Sequence, residues 1–319
     1  MEDTIMMEST KGFRNMFGRE KQTMGNIAEG YLYGRWPNLY VYHIRRLVEK
    51  LVPDPETVPR YPGETIPPEI DELTQMCVEK MMPTLMSPET SIYHGKVLKL
   101  DEARALLTVD QDIALTDLER VIPYKHARDI ILKNPDRIAV IDCPCRSSKG
   151  NSCKPMDVCL VVGEPFVSFI LDHNKGNNPR KVSQDEAVDI IKAEDDRGHI
   201  HSAWFKDACG DRFYAVCNCC RCCCAPMKAH FNNVPIIAPS GYLCEINEEC
   251  NGCGSCVEYC QFGALSMDGK PVVNEKKCMG CGVCESKCPV EAITLKRDPA
   301  RCEPLDMGVL LKEKQSTSV

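Results

Sequence analysis

Two cysteine runs near the C-terminal end constrain this chain more than any other feature. CNGCGSCVEYC places Cys250, Cys253, Cys256 and Cys260; CMGCGVCESKCP places Cys278, Cys281, Cys284 and Cys288, followed by Pro289. Both read C-x2-C-x2-C-x3-C, and 28 positions separate Cys250 from Cys278. The tails repeat as well, FGALSMDG after the first run and VEAITLKRD after the second, so a small unit is duplicated. Three thiols at i, i+3 and i+6 on a tight loop wrap three corners of an iron–sulfur cubane. The fourth, at the start of a short helix, points to the other cluster. Gly252, Gly254, Gly280 and Gly282 let the backbone come close, with N–H groups turned towards the sulfurs.

The rest of the chain narrows the setting. Its 319 residues leave room for two or three domains and a sizeable core. A net charge of −7 argues against a nucleic-acid partner, which needs a concentrated basic surface. The start, MEDTIMMEST, lacks the basic and apolar regions of a signal peptide. The longest apolar stretch, residues 158–171, is broken by Gly163, Glu164 and Pro165 and is too short to span a bilayer. A cytoplasmic, reducing location is expected. There, 22 cysteines mean metal ligands or redox chemistry rather than disulfides.

A second cysteine block lies upstream. IAVIDCPCR reads as a buried strand ending at Cys143 and Cys145, and a polar loop then carries Cys153 and Cys159. VCLVV is apolar again. Residues 180–202 give a helix signal, with Ser183 and Glu186 as a capping box. FYAVCNCCRCCC then begins as a strand and holds Cys217, Cys219, Cys220, Cys222, Cys223 and Cys224. If it stays extended, Cys217, Cys219 and Cys223 face one side, and Cys220, Cys222 and Cys224 the other; a turn at Arg221 would merge the sets. Disulfides fit poorly, since neighbouring cysteines bridge badly. Zinc accepts four thiolates, but its ligand pairs usually have two to four intervening residues. Thiol-redox cycling and inert burial also compete. A further iron–sulfur centre fits best, because the chain already carries cluster motifs. Arg146 and Arg221, beside the thiols, would stabilise a reduced cluster.

Residues 241–298 resemble a bacterial-type two-cluster [4Fe–4S] ferredoxin domain. The resemblance implies a small α+β unit in which Cys250, Cys253, Cys256 and Cys288 hold one cluster, and Cys278, Cys281, Cys284 and Cys260 the other. It departs in one place: Gln261 follows Cys260 where the family usually has proline. The series IDCPCR, VCLVVGE, GHIH and CNCCRCCC is similar to a loosely described group of proteins from anaerobic microbes. In that group such a module precedes a two-cluster ferredoxin domain, and no substrate is implied. The paired-cysteine pattern of heterodisulfide reductases is not present.

The expected architecture is therefore α+β: a C-terminal ferredoxin-like domain after a larger mixed α/β cysteine-rich domain. Boundaries are set at 1–68 (N-terminal segment and Pro-rich linker), 69–240 (cysteine-rich module), 241–300 (ferredoxin domain) and 301–319 (tail). Helices are expected over 38–52, 69–86 and 122–133. His199 and His201 read as satisfied histidines, and Cys77, Cys209, Cys244 and Cys302 as small buried hydrophobes, with Cys209 the best exception. The expected function is one-electron transfer between a redox partner protein and the upstream centre, through two [4Fe–4S] clusters. Cofactors would be those two clusters and at least one further iron–sulfur centre, with zinc as the alternative. Two other readings stay open: an oxidoreductase acting on a substrate such as a disulfide at the upstream block, and a metal or redox sensor.

Overall fold

The computed structural model describes residues 6–17, 23–49, 65–85, 87 and 92–317. Four helices come first: α1 (Glu8–Asn15), α2 (Met24–Arg35), α3 (Pro37–Glu49) and α4 (Pro68–Leu85). Then follow β1 (Tyr93–Leu98), α5 (Leu100–Leu107), β2 (Ile113–Leu115), β3 (Ile130–Asp142), α6 (Pro144–Ser147), β4 (Asp157–Glu164), α7 (Phe166–His173), β5 (Arg180–Val182), α8 (Gln184–Asp196), β6 (Ile200–Lys206) and β7 (Arg212–Cys219). The chain continues through α9 (Ala225–Phe231), β8 (Ile237–Ala238), β9 (Tyr242–Ile246), α10 (Ser255–Tyr259), β10 (Leu265–Asp268), β11 (Lys270–Val273), α11 (Val283–Ser286), β12 (Ile293–Arg297) and α12 (Met307–Thr317).

Eight strands form one curled sheet in the order β2-β3-β4-β7-β6-β1-β8, with β5 added alongside β3. Pairing is antiparallel except between β1 and β8. Both faces are covered. On one side, Ile138, Val140, Leu160, Val162 and Val216 pack against α5, α8 and α12. On the other, Ala139, Ile141, Val161, Trp204 and Tyr214 meet α2, α3, α7 and α9. The alternation along β3 is the period-two signature of a strand buried on both faces.

Helix α8 begins where the sequence signals it, with Ser183 Oγ accepting from Glu186 N at 3.1 Å. Tyr40 and Ile44 of α3 are buried as its spacing requires, while Leu51 lies outside the described residues. Residues 122–133 correct an expectation. They run as a loop into β3, where Ile130 and Leu132 pair with Leu115 and Ile113. Ala127 takes a positive φ of 50°, which stops a helix, and the apolar residues bury with period two. The C-terminal segment returns to the sheet, with Leu305, Met307 and Leu310 in the same core as α5 and α8.

The repeat gives two small sheets, β9 with β12 and β10 with β11, and two short helices, α10 and α11. Met279 and Val283 from this unit enter the core of the large sheet. No helix among the described residues is long and apolar enough to cross a membrane.

Candidate metal centres

In the C-terminal unit the duplication extends to single hydrogen bonds. Cys260 Sγ accepts from Ala264 N at 3.2 Å, and Cys288 Sγ from Ala292 N at 3.2 Å. Gly254 and Gly282 cap α10 and α11 in the left-handed conformation, with φ of 81° and 87°. Gly280 is fixed by space as well as by φ: a Cβ there would lie 2.3 Å from Tyr242 O. Cys281 neighbours Cys284, Cys260 and Cys278, and burial pushes its thiol pKa up. Cys256 lies near Cys284, Cys250 and Cys253, and its thiol is raised to about 11, chiefly by burial. Cys288 packs into the same small core. Backbone N–H groups aimed at sulfur, forced glycines and converging thiols are what a cubane site requires. Cys244 adds a thiol that sequence reasoning had set aside; its sulfur is 3.6 Å from Cys284 Sγ.

Upstream, strand β7 ends at Cys219 and the chain turns over residues 221–223, closed by Cys224 N donating to Cys220 O at 3.0 Å. That turn sorts the ten cysteines into two groups. Cys153, Cys220, Cys222 and Cys223 form the first, with all four sulfurs within 4.8 Å of one another. Cys153 Sγ is 2.9 Å from Cys222 Sγ, and Cys222 Sγ is 3.5 Å from Cys220 Sγ. Cys223 is held well below the usual thiol range, first by a hydrogen bond from Cys220 and then by one from Cys222. Burial lifts Cys153 to about 11. Among the described residues this is the group whose donors converge so tightly. An ion with metal–sulfur bonds of about 2.3 Å needs tetrahedral edges of about 3.8 Å, so the group fits one such ion.

The second group is Cys143, Cys145, Cys159, Cys217, Cys219 and Cys224. Register places Cys159 opposite Cys217 across β4 and β7, with the sulfurs 3.6 Å apart. Cys217 and Cys219 share a sheet face, two residues apart. Cys143 and Cys145 flank the start of α6, and Cys224 caps α9. Ser202 Oγ, held by Trp204 Nε1 at 2.8 Å, lies 3.5 Å from Cys219 Sγ. These thiols line a cavity of about 40 Å³ together with Tyr93, Trp204 and Pro226, and Cys220 and Cys223 of the first group reach the same cavity.

Two buried arginines frame the groups. Arg146 Nη2 meets Glu194 Oε2 at 2.5 Å, and its guanidinium also donates to the carbonyls of Pro155 and Asn218. His199 donates from Nδ1 to Glu194 at 2.6 Å, and Arg197 reaches the same carboxylate at 3.0 Å. Burial alone would raise Glu194; the His199 hydrogen bond and the Arg146 charge overcome it and hold the carboxylate low. Arg45, from α3, was missed from sequence. It is 2% exposed and donates to Cys145 O at 2.8 Å and to Cys223 O, tying the two thiol groups together. A single arginine on an amphipathic helix carries no signal of this role. Arg221 instead lies over the Phe231 ring, 4.8 Å from its centroid.

His201 donates from Nδ1 to Asn218 Oδ1 at 2.7 Å, while its buried Nε2 faces Asp195 at 3.7 Å without a hydrogen bond. Cys209 is 1% exposed beside Lys206 and Asp207. Cys302 Sγ is 3.1 Å from the buried Lys96 Nζ.

The departure at Gln261 has a structural use. Its Oε1 accepts from Arg221 N at 2.9 Å, and its Nε2 donates to Gly198 O at 2.8 Å. Gln261 thus fastens the middle of CNCCRCCC to the C-terminal unit. Lys287 adds to the junction, 3.6 Å from Asp196 and 3.9 Å from Asp195.

A family model described as a 4Fe-4S dicluster domain matches residues 249–292. No curated protein matches the chain. The match supports 4Fe–4S cluster binding and points to iron–sulfur electron transfer, and the geometry of residues 249–292 fits that chemistry.

Proposed function

We propose that this chain is an iron–sulfur electron-transfer protein. Cys250, Cys253, Cys256 and Cys288 hold one [4Fe–4S] cluster; Cys278, Cys281, Cys284 and Cys260 hold the other. Single electrons arrive from a redox partner protein, pass through these clusters and reach a third iron centre on Cys153, Cys220, Cys222 and Cys223. The clusters supply the one-electron chemistry; the chain supplies ligation, burial and the junction between centres.

The observation that carries this reading is the Gln261 bridge. The residue after the fourth cysteine of the first run is hydrogen-bonded to the main chain at Arg221, inside the upstream thiol loop. Two metal regions that exchange electrons need such a fixed, short junction. The thiol-lined cavity of about 40 Å³ has room for a few waters and none for a peptide or organic disulfide. That favours electron transfer over substrate reduction at the block.

An anaerobic reductive titration followed by EPR tests the proposal. The expected result is two interacting cubane spins per chain, plus a further paramagnetic centre lost in Cys222→Ser and kept in Cys253→Ser. A chain with both cubanes, no further paramagnetic centre and about one zinc would overturn the relay and leave a structural site.

A further inference from the structure

A cleft opens where the C-terminal unit meets the helices that cover the large sheet. It holds about 300 Å³ and is built by elements far apart in sequence, α5, α8 and α11. Helical spacing brings its lining together. Leu100 and Arg104 stand one turn apart on α5, and Val188, Ile191, Lys192 and Asp195 follow one face of α8. Cys281 and Gly282, at the start of α11, close one end.

The cleft joins an apolar lining to an unbalanced charge. Leu100, Val188 and Ile191 supply the apolar part. Three acids also line it, and the fold answers each of them. Asp101 pairs with Lys99 at 3.2 Å. Asp195 lies 3.7 Å from His201 Nε2 and 3.9 Å from Lys287 Nζ. Glu285 Oε1 accepts from Leu295 N at 3.1 Å. Lys99 is taken up in turn by Asp101 and by the Tyr242 ring, 4.5 Å from its centroid. Arg104 and Lys192 are left over: among the described residues neither side chain has an ion pair or a hydrogen bond. Two unanswered cations beside an apolar lining suit an anion that carries an apolar body. An inorganic ion would leave the lining wet, and a neutral hydrocarbon would leave both cations unused. A concave site of this size at the junction of two units is where small ligands bind.

We infer that this cleft binds a small organic anion, its carboxylate or phosphate head on Arg104 and Lys192 and its apolar body on Leu100, Val188 and Ile191, and that the bound charge lowers the potential of the cluster held by Cys281. Binding needs only the cleft; the coupling rests on the electron-transfer reading. A cubane on four thiolates is negative and gains a further negative charge on reduction, so the anion and the added electron repel each other. Linkage makes the effect mutual: reduction weakens anion binding by the same factor by which the anion disfavours reduction.

Calorimetric titration of anaerobically purified, full-length protein tests the site, with phenyl phosphate and phenylacetate as probes at constant ionic strength and inorganic phosphate as the control. Saturable binding of one probe or both at millimolar concentration or below is expected, and the preferred head separates phosphate esters from carboxylates. The double variant R104Q/K192Q changes two exposed side chains, keeps the fold and is expected to bind about tenfold more weakly. The electrochemically reduced wild type is expected to bind more weakly than the oxidised form, with a matching fall in cubane midpoint potential when the probe is added; a tenfold ratio corresponds to about 59 mV for one electron. No binding of either probe at millimolar concentration, binding untouched by R104Q/K192Q, or inorganic phosphate binding as tightly as phenyl phosphate overturns the site. Binding indifferent to oxidation state in a chain with loaded cubanes overturns the coupling. A chain that carries no cubanes overturns the electron-transfer reading, and calorimetry on that chain still decides the cleft.

Discussion

Replacing Gln261 by alanine removes both ends of the bridge between the C-terminal unit and the thiol loop. The two hydrogen bonds, at 2.9 and 2.8 Å, join neutral groups. Each contributes about 1 kcal/mol net, so the junction loses about 2 kcal/mol. At about 1.4 kcal/mol per factor of ten, the open state becomes roughly 30-fold more populated. Amide hydrogen exchange reads this directly. Protection in a peptide covering residues 217–224 is expected to fall about 30-fold. Peptides from β3 and β6 serve as internal controls and keep theirs. Gln261→Glu separates the halves: the carboxylate still accepts from Arg221 N but faces Gly198 O without a donor. Unchanged exchange at 217–224 in Gln261→Ala, or an equal rise across the whole sheet, would refute a local bridge.

Other outcomes follow from single contacts. Gly198→Ala puts a Cβ 2.5 Å from Tyr259 at a φ of +77°, so a lower urea midpoint and looser exchange at the same junction are expected. Lys206 is fully buried and 2.6 Å from Glu29; Lys206→Met leaves that carboxylate with the Tyr40 hydroxyl but without its counter-charge and is expected to cost about 3 kcal/mol in urea unfolding. Glu102 is held up at about 7, chiefly by burial, although its carboxylate accepts from Lys99 N at 2.9 Å. The folded chain therefore keeps a proton that the unfolded chain releases. Stability from this group falls as pH rises from about 4.5 to about 7 and is level above, and Glu102→Gln is expected to flatten that slope in urea midpoints measured against pH.

The parts legible in the sequence are those whose signal is local. The C-x2-C-x2-C-x3-C repeat, its glycines and the Ser183 cap each specify their geometry within a few residues. Strands β3, β4 and β7 were readable because β-branched, apolar runs bury on both faces. The sorting of the upstream cysteines was not. An extended strand puts Cys223 with Cys217 and Cys219, but the turn over residues 221–223 exchanges it for Cys224. That turn is set by long-range contacts, Gln261 to Arg221 and Lys149 Nζ to Cys222 O at 3.0 Å, which no local window contains. Arg45 was invisible for the same reason: 100 residues separate it from Cys145. The spacing over 122–133 misled because strand pairing with β2 outweighed a short helical pattern.

The relay between the C-terminal cysteines and the upstream thiol loop is tested most directly by rapid-freeze EPR and Mössbauer spectroscopy after one-electron reduction. The protein would be mixed anaerobically with a substoichiometric low-potential donor and frozen over milliseconds to seconds. The expected result is that reduced-cubane signals form first and then decay as iron ligated by the upstream cysteines becomes reduced, with the second phase slowed in Gln261→Ala. Cubanes that stay reduced, while upstream iron shows no change of state at any time, would contradict the relay.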